Sequence, residues 1–195
     1  PLEDRKVTIS RLRSKVEFPA SFTLVAAANP CPCGYYGAGD RCSCTPSQRQ
    51  SYMSRLSGPI MDRIDIQLYM EMVSPEKLVN RVREESSADV AARVLAARDI
   101  QMERFAGTEV FVNAEMTNSM MEHFCRLSSE CRRIMERMTE SMGLSARAYG
   151  RILKIARTIA DLDAVRDGLS QPGNISPEHL LEAAGFRFLD RFRGI

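Results

Sequence analysis

Short apolar runs in the first part of the chain predict β-structure. Val7 to Ile9 and Val16 to Phe18 flank a polar, basic stretch, Ser10-Arg11-Leu12-Arg13-Ser14, and this order predicts a hairpin. The longer apolar run from Phe22 to Ala28 predicts a buried strand that delivers Asn29 to its carboxyl end. Because ligands of α/β folds bind at the carboxyl ends of strands, Asn29 is a candidate site residue.

Further along the chain the pattern changes from strands to helices. Thr45-Pro46-Ser47 predicts a capped helix to about Leu56, Ile64 to Met72 alternates like a strand, and Ser74-Pro75-Glu76 and Ser87 each predict a helix start. The second of these helices is expected to run from about Ala88 to Ala106. Later caps are predicted at Thr117, Ser128, Ser145 and Ser176, with a helix stop at Gly143. The pattern predicts an α/β part, residues 1–109, followed by a helical bundle, residues 110–195.

Composition places the chain among ordinary globular proteins. It has 195 residues, 44% of them apolar and 27% charged, with a net charge of +2. No segment approaches the roughly 18 apolar residues of a membrane span, and no signal-peptide pattern is present, so we expect a cytoplasmic protein without a membrane partner. Residues 1–64 carry nine basic and five acidic side chains, and this excess makes the first third of the chain basic.

Four of the six cysteines lie within fourteen residues. Cys31 and Cys33 form one Cys-x-Cys pair, and Cys42 and Cys44 form another. A loop of this length brings four thiols to one tetrahedral point, and four thiolates leave no open position, which predicts a structural zinc ion. A reduced, metal-free loop is the alternative. Cys125 and Cys131 lie in a helical region, where they are expected to act as core residues, although pairing between them stays open.

Four motifs in sequence order point to one family. They are Ala27-Ala28-Asn29-Pro30-Cys31-Pro32-Cys33-Gly34, Ser57-Gly58-Pro59-Ile60-Met61-Asp62-Arg63-Ile64-Asp65, Leu144-Ser145-Ala146-Arg147-Ala148-Tyr149 and Ala156-Arg157-Thr158-Ile159-Ala160-Asp161-Leu162. Together they resemble the C-terminal half of the magnesium-chelatase-like AAA+ ATPases of the competence protein ComM type. The likeness extends over nearly the whole chain.

The resemblance implies roles for three residues in ATP hydrolysis. Asn29 is similar to the sensor-1 residue, which orients the attacking water near the γ-phosphate. Arg63 is similar to the arginine finger that one subunit offers to the nucleotide of its neighbour, and Arg147 to the sensor-2 arginine of the helical lid. Asn29 and Arg147 would then contact nucleotide. Phosphoryl transfer depends on positioning and on neutralising developing charge, and guanidinium groups do both.

The resemblance also implies a fold and an assembly. The fold class would be α/β plus α, with the distal half of a AAA+ P-loop NTPase core followed by a helical lid. The sequence contains neither a Gly-x-x-x-x-Gly-Lys-Ser/Thr phosphate loop nor an apolar strand ending in Asp-Glu. Both are expected upstream in the parent protein, so the present chain alone should not hydrolyse ATP. The parent would bind ATP and Mg²⁺ and form a hexameric ring.

By the same resemblance the predicted hairpin is similar to the pre-sensor-1 hairpin of ring helicases. Arg11, Arg13 and Lys15 would suit phosphate contacts along single-stranded DNA, although a solvated basic turn fits them equally well. The favoured function is a DNA motor of the helicase or branch-migration type. One alternative is a chelatase-type motor subunit that acts on a partner protein, and another is a non-enzymatic binding module stapled by zinc.

Overall fold

The computed structural model describes residues 2, 4–11, 14–37, 39–55, 58–70, 73, 79 and 84–187. The chain forms two compact units, Pro1–Ile64 and Asp65–Ile195. This division lies well before residues 109 and 110, where the sequence predicts the domain boundary, and that boundary stays a prediction. The helix predicted from Ser74 falls almost entirely outside the described residues.

The first unit begins with the predicted hairpin. Strands β1, Lys6–Arg11, and β2, Ser14–Pro19, pair antiparallel. Val7 lies opposite Phe18, and Ile9 lies opposite Val16. Directly paired residues share a face of the ribbon, so these four side chains form one apolar face. The hairpin prediction is confirmed, and Leu12 and Arg13 at its tip lie outside the described residues.

The buried strand predicted for Phe22 to Ala28 is wrong. The structure describes all of these residues, and none of them belongs to a strand. Their large apolar side chains are exposed, with Val25 at 89% of its maximal accessible surface. A strand exists only where a neighbouring backbone supplies hydrogen bonds, and no described residue pairs with this run. An apolar sequence alone was therefore not enough to place it in a sheet.

Short helices complete the first unit. Helix α1 spans Pro46–Met53 and begins with a capping box. The Thr45 hydroxyl accepts from the backbone N–H of Gln48 at 3.2 Å, and the backbone N–H of Thr45 donates to the Gln48 side chain at 2.9 Å. This exchange satisfies two backbone donors that the helix itself leaves unpaired, which confirms the predicted start. A 3-10 turn at Gly39–Arg41 precedes α1, and α2, Gly58–Met61, follows it.

The second unit is helical. Its elements are α3, Ser87–Arg104; a 3-10 turn, Asn113–Glu115; α4, Asn118–Phe124; α5, Ser129–Met142; α6, Ala146–Arg166; and α7, Pro177–Gly185. The predicted serine and threonine caps of the last four helices are confirmed. Helix α5 ends at Gly143 in the left-handed conformation, as predicted. Helix α3 is capped by Ser86, one residue earlier than predicted.

Helix α6 runs through the middle of this unit. Helices α3, α4 and α7 and the 3-10 turn all contact it. Phe105, Met135, Ile152 and Leu180 are among the largest fully buried side chains of the core. Cys125 and Cys131 are core residues, as predicted, and both are free thiols.

The strand predicted from Ile64 to Met72 is reduced to a single bridge in its described part, and residues 71 and 72 lie outside the described residues. Within residues 64–70, only Gln67 forms a β-bridge, and it does so in parallel with Arg187. The backbone N–H of Gln67 donates to the carbonyl of Phe186 at 2.7 Å. Apart from this contact the described part of the run forms no strand, and Ile66, Leu68 and Met70 are exposed. Among the described helices, none combines the length and apolar character that crossing a bilayer requires.

A buried ionic network joins α3 to α6. Asp161, on α6, has no exposed surface and accepts two hydrogen bonds from the guanidinium of Arg104, at the end of α3. The side-chain amide of Asn113 donates to the same carboxylate at 2.8 Å, and Arg157 lies 3.4 Å from it. Burial lowers the pKa of Arg157, and Asp161 acts against that shift. Arg157 also donates to the carbonyl of Gly173 at 2.9 Å.

Replacing Asp161 with Asn should strongly destabilise the helical unit. The change leaves two largely buried guanidinium groups without their anion, and breaking a buried ion pair in this way costs about 3–5 kcal/mol. Urea unfolding followed by helical circular dichroism measures the loss. Asp167→Asn, at an exposed pair with Arg166, is the matched control and should cost under about 1 kcal/mol. Equal stability of the two variants would contradict the central role of the network.

Candidate functional site

The four clustered cysteines converge on one point in the first unit. The Sγ atom of Cys31 lies 3.3 Å from that of Cys33 and 3.8 Å from that of Cys42, and the Cys33 and Cys42 sulfurs are 3.7 Å apart. All four sulfurs, including that of Cys44, lie within 4.8 Å of one another. Cys31 is buried and the other three are partly exposed. The two Cys-x-Cys pairs therefore form one cluster, as the sequence predicts.

These distances fit a zinc ion. A metal bound tetrahedrally at about 2.3 Å from each sulfur holds the sulfurs about 3.8 Å apart, close to the separations of the described pairs. Four sulfur ligands complete the coordination of zinc, so no position would be left for water or substrate. Such a metal would hold the loop together and supply no reaction chemistry.

The thiols influence one another's protonation. The backbone of Tyr35 and the thiol of Cys31 lower the pKa of Cys33 to about 6. The pKa of Cys44 moves in the opposite direction, to about 11. A hydrogen bond to the backbone of Cys33 acts to lower it, but the neighbouring thiols and loss of hydration raise it more. Cys33 and Cys44 interact and therefore titrate as a pair, because the thiolate that forms first makes the second less favourable. A bound cation removes that repulsion and displaces the remaining protons.

A tight turn links the cysteine cluster to Asn29. The backbone N–H of Gly34 donates to the carbonyl of Cys31 at 3.0 Å, and Gly34 has a φ of +81°, which glycine adopts without strain. A Cβ atom at position 34 would stand 3.8 Å from the side-chain amide of Asn29. The exposed Asn29 side chain thus lies against the turn that carries two of the four thiols. A metal ion bound by the four cysteines would fix the conformation of this turn. It would thereby also fix the surface that the Asn29 side chain contacts.

The other two predicted catalytic residues lie at the ends of helices. Arg63 follows α2 in a turn, where its backbone N–H donates to the carbonyl of Ile60 at 2.9 Å, and its side chain is half-buried. Arg147 is the second residue of α6, and its side chain is exposed. Arg63 and Asn29 belong to the first unit and Arg147 to the second. Their convergence on one nucleotide stays a prediction.

The two described basic residues of the hairpin tip lie on opposite faces. Arg11 pairs with Ser14 and shares its face with Ile9. Lys15 pairs with Ser10, on the polar face. Both positions are exposed. Arg13, the third predicted DNA contact, lies outside the described residues.

One side chain beside the cluster was not among the sequence-predicted site residues. Arg49, on α1, donates from Nη1 to the backbone carbonyl of Cys44 at 2.7 Å. Its guanidinium carbon stands 4.8 Å from the centre of the Tyr36 ring. The sequence signal that could have identified Arg49 is its position. It comes one helical turn after the Thr45 cap and five residues after Cys44.

Comparison with known protein families agrees with the motifs. The family described as "Magnesium chelatase, subunit ChlI" matches residues 1–78, and "Magnesium chelatase, subunit ChlI C-terminal" matches residues 84–187. The chain belongs to the magnesium-chelatase-like family of AAA+ proteins. The resemblance inferred from the motifs is thereby confirmed, and so are the AAA+ membership and the mixed α and β content of the expected fold.

Curated relatives extend this result along nearly the whole chain. The chain is 42% identical to Uncharacterized protein YifB of Escherichia coli over 192 residues, 98% of this chain and 36% of that protein. It is also 42% identical to Competence protein ComM of Haemophilus influenzae over 193 residues, 98% of this chain and 35% of the relative. An uncharacterized protein of Mycobacterium tuberculosis is 32% identical over 173 residues, 89% of this chain and 33% of the relative. The chain spans about a third of the length of these relatives.

Protein purified without added zinc should contain about one zinc per chain, because the four thiolates form a closed site. Atomic absorption measures the metal, and a thiol reagent counts free cysteines in the same sample. Cys33→Ser should lose most of the zinc. Ser43→Ala, between Cys42 and Cys44, keeps all four thiols and is the matched control. Metal content well below one equivalent, with all thiols reduced, would contradict the zinc site.

Proposed function

We propose that this chain forms the distal part of the nucleotide-binding core and the helical lid of a cytoplasmic AAA+ motor. In this proposal residues 1–109 belong to the core and residues 110–195 to the lid. The intact protein assembles into a hexameric ring that hydrolyses ATP with Mg²⁺ and moves DNA. The observation that carries the proposal is the match of both chelatase-subunit families, in order, along one chain that also holds the motifs around Asn29, Arg63 and Arg147.

The position of Arg147 supports a role in binding phosphate. It lies in the first turn of α6, and no acidic residue accompanies it there. The start of a helix presents unpaired N–H groups and partial positive charge, and an exposed guanidinium adds a full positive charge. Phosphate oxygens are the natural partners of such an arrangement. These features agree with Arg147 acting as sensor 2.

The position of Arg63 supports action across a subunit interface. Its side chain is half-buried and follows the short helix α2. An arginine finger must be held by its own subunit and still reach a neighbour's γ-phosphate, where it neutralises charge in the transition state. Asn29, exposed beside the cysteine turn, would orient the attacking water in its own subunit.

Mixing two inactive variants tests these roles. In the intact protein Arg63→Ala should abolish ATP hydrolysis by removing the finger, and Arg147→Ala should abolish it by damaging the nucleotide site. Within a mixed ring, the site of an Arg63→Ala subunit can meet the intact finger of an Arg147→Ala neighbour. Random mixing of the two variants in equal amounts makes about a quarter of the interfaces complete. Hydrolysis should therefore return to about that fraction of the wild-type rate.

In the control, each inactive variant is taken alone through the same mixing procedure, and its ATP hydrolysis should not recover. Recovery is measured as phosphate release after co-refolding or subunit exchange, with ring formation checked by sedimentation. If mixed rings form and remain inactive, the assignment of Arg63 to the neighbour's site is wrong. If Arg63→Ala alone hydrolyses ATP at the wild-type rate, Arg63 has no catalytic role.

The hairpin supports DNA as the substrate. Arg11 and Lys15 are exposed near its tip on opposite faces, so the tip presents positive charge on both sides. Arg13 adds a third cation to the same tip sequence. Neutralising phosphates releases bound counterions, and three such contacts on a single strand give a salt-dependence slope of about 2.

Replacing Arg11, Arg13 and Lys15 with Gln in the intact protein should weaken single-stranded DNA binding. The slope of the logarithm of the binding constant against that of salt concentration should fall by about 2. Fluorescence anisotropy at several salt concentrations measures both effects. The control replaces three exposed arginines of α5, Arg132, Arg133 and Arg137, and should bind as the wild type does. Unchanged binding and slope in the hairpin variant would contradict the DNA interface.

A chelatase-type motor is the second candidate. The descriptions of both matching families favour it, since each names a magnesium chelatase subunit. Such a motor would act on a partner protein instead of DNA. Both functions require the same ATPase residues, so only the substrate separates them. Retention of the wild-type protein on a chelatase-type partner and not on single-stranded DNA would favour this second function.

A further inference from the structure

Arg49 connects the two cysteine pairs from the outside of the cluster. Its guanidinium donates to the backbone carbonyl of Cys44, a member of the second pair, at 2.7 Å. The same guanidinium lies over the ring of Tyr36, three residues after Cys33 of the first pair, with 4.8 Å from its carbon to the ring centre. One side chain thus contacts the chain beside both pairs. Arg49 thus links the two parts of the cysteine loop through contacts that involve no thiol.

The start of α1 holds Arg49 in place. The capping box between Thr45 and Gln48 fixes the first turn of the helix, and the backbone N–H of Arg49 donates to the carbonyl of Thr45 at 3.1 Å. Cys44 immediately precedes this cap. The backbone of Cys44 is therefore set on one side by a helix start and on the other by the Arg49 side chain. By contrast, the first pair is shaped by the Gly34 turn.

The net charge of a zinc–thiolate site explains what the contacts of Arg49 could contribute. Four thiolates around a zinc ion carry a net charge of −2, which the surrounding protein must accommodate. A guanidinium on the backbone of one ligand residue supplies positive charge, and its flat face can stack on an aromatic ring while its N–H groups donate in the plane. Lysine has the charge without the planar geometry. Some residues contact the metal ligands and not the metal itself. Mutating such a residue typically lowers metal affinity by about ten- to a hundredfold.

We infer that Arg49, seated on Tyr36, is a positioning residue that holds Cys44 in place for the metal and slows metal release. The inference rests on the proposed zinc site. It assigns Arg49 a role separate from nucleotide or DNA binding, although Arg49 belongs to the basic first third of the chain. Tyr36 acts through Arg49, so the two residues form one device.

The test measures the rate at which zinc leaves the intact protein in the presence of an excess of a chromogenic chelator. Arg49→Met should release zinc about tenfold faster or more. Arg49→Lys should fall between Arg49→Met and the wild type, because it keeps the charge alone. Arg55→Met removes a different arginine of the same region, one that is exposed, and should release zinc at the wild-type rate. Each variant must first show one zinc per chain and wild-type helical content.

A second comparison separates the proposed device from a general loosening of the loop. Tyr36→Leu should also speed release, whereas Tyr35→Leu, at the neighbouring tyrosine of similar exposure, should not. The double variant Tyr36→Leu/Arg49→Met should be no faster than Arg49→Met alone, because residues that act as a unit are non-additive. Equal release by the wild type and Arg49→Met would overturn the role of Arg49 and leave the zinc site standing. A wild-type protein without zinc would overturn both.

Discussion

Asp161 is a fully buried carboxylate, and the helical unit is arranged around it. Arg104 reaches it from the end of α3, Asn113 from the 3-10 turn, and Arg157 from the preceding turn of α6. The loop at Gly173 joins through Arg157. Removing charges from water is costly, and the cost is met only when every partner is in place. Loss of any one partner would leave buried charge uncompensated, so the network stabilises the arrangement in which these segments meet.

The network also extends beyond the charges. The side chain of Gln101 accepts from the backbone N–H of Asn113 at 2.9 Å, and the amide of Asn113 reaches the hydroxyl of Thr158 at 3.0 Å. Asn113 thus satisfies its buried backbone and side-chain groups through α3 and α6 together. The connection from α3 to the rest of the unit is fixed in this way. Helix α6 is thus joined to α3 by this network, and its first turn carries Arg147.

Helix boundaries were predictable because their causes are local. A serine or threonine cap, a proline at the first helical position and a glycine at the end act over three or four residues, and each is visible in the sequence. The buried network was not predictable, because 57 positions separate Arg104 from Asp161. The motif containing Arg157 and Asp161 helped to identify the family, yet its sequence gave no indication that the two residues share a buried ion pair.

Strands depend on partners in the same way. The run from Phe22 to Ala28 has the composition of a buried strand, but its pairing is decided by other segments of backbone, so the sequence of the run could not establish it. The cysteine cluster is the opposite case, since a short loop limits where four thiols can go. Arg49 was missed because a single arginine after a helix start is unremarkable until its contacts are known. The roles proposed for Asn29, Arg63 and Arg147 rest on family resemblance, because they would depend on a nucleotide and a neighbouring subunit.

The location of Arg147 has a thermodynamic consequence. A cation in the first turn of a helix opposes the aligned peptide dipoles, at a cost of about 0.3–1 kcal/mol, and the first turn of α6 contains no acidic residue. An anion bound at this end reverses the sign of that contribution. A ligand that binds only the folded state raises the melting temperature by mass action, and an anion bound beside Arg147 would do so here. Thermal stability would therefore report on the phosphate binding proposed for Arg147, even in a protein that performs no turnover.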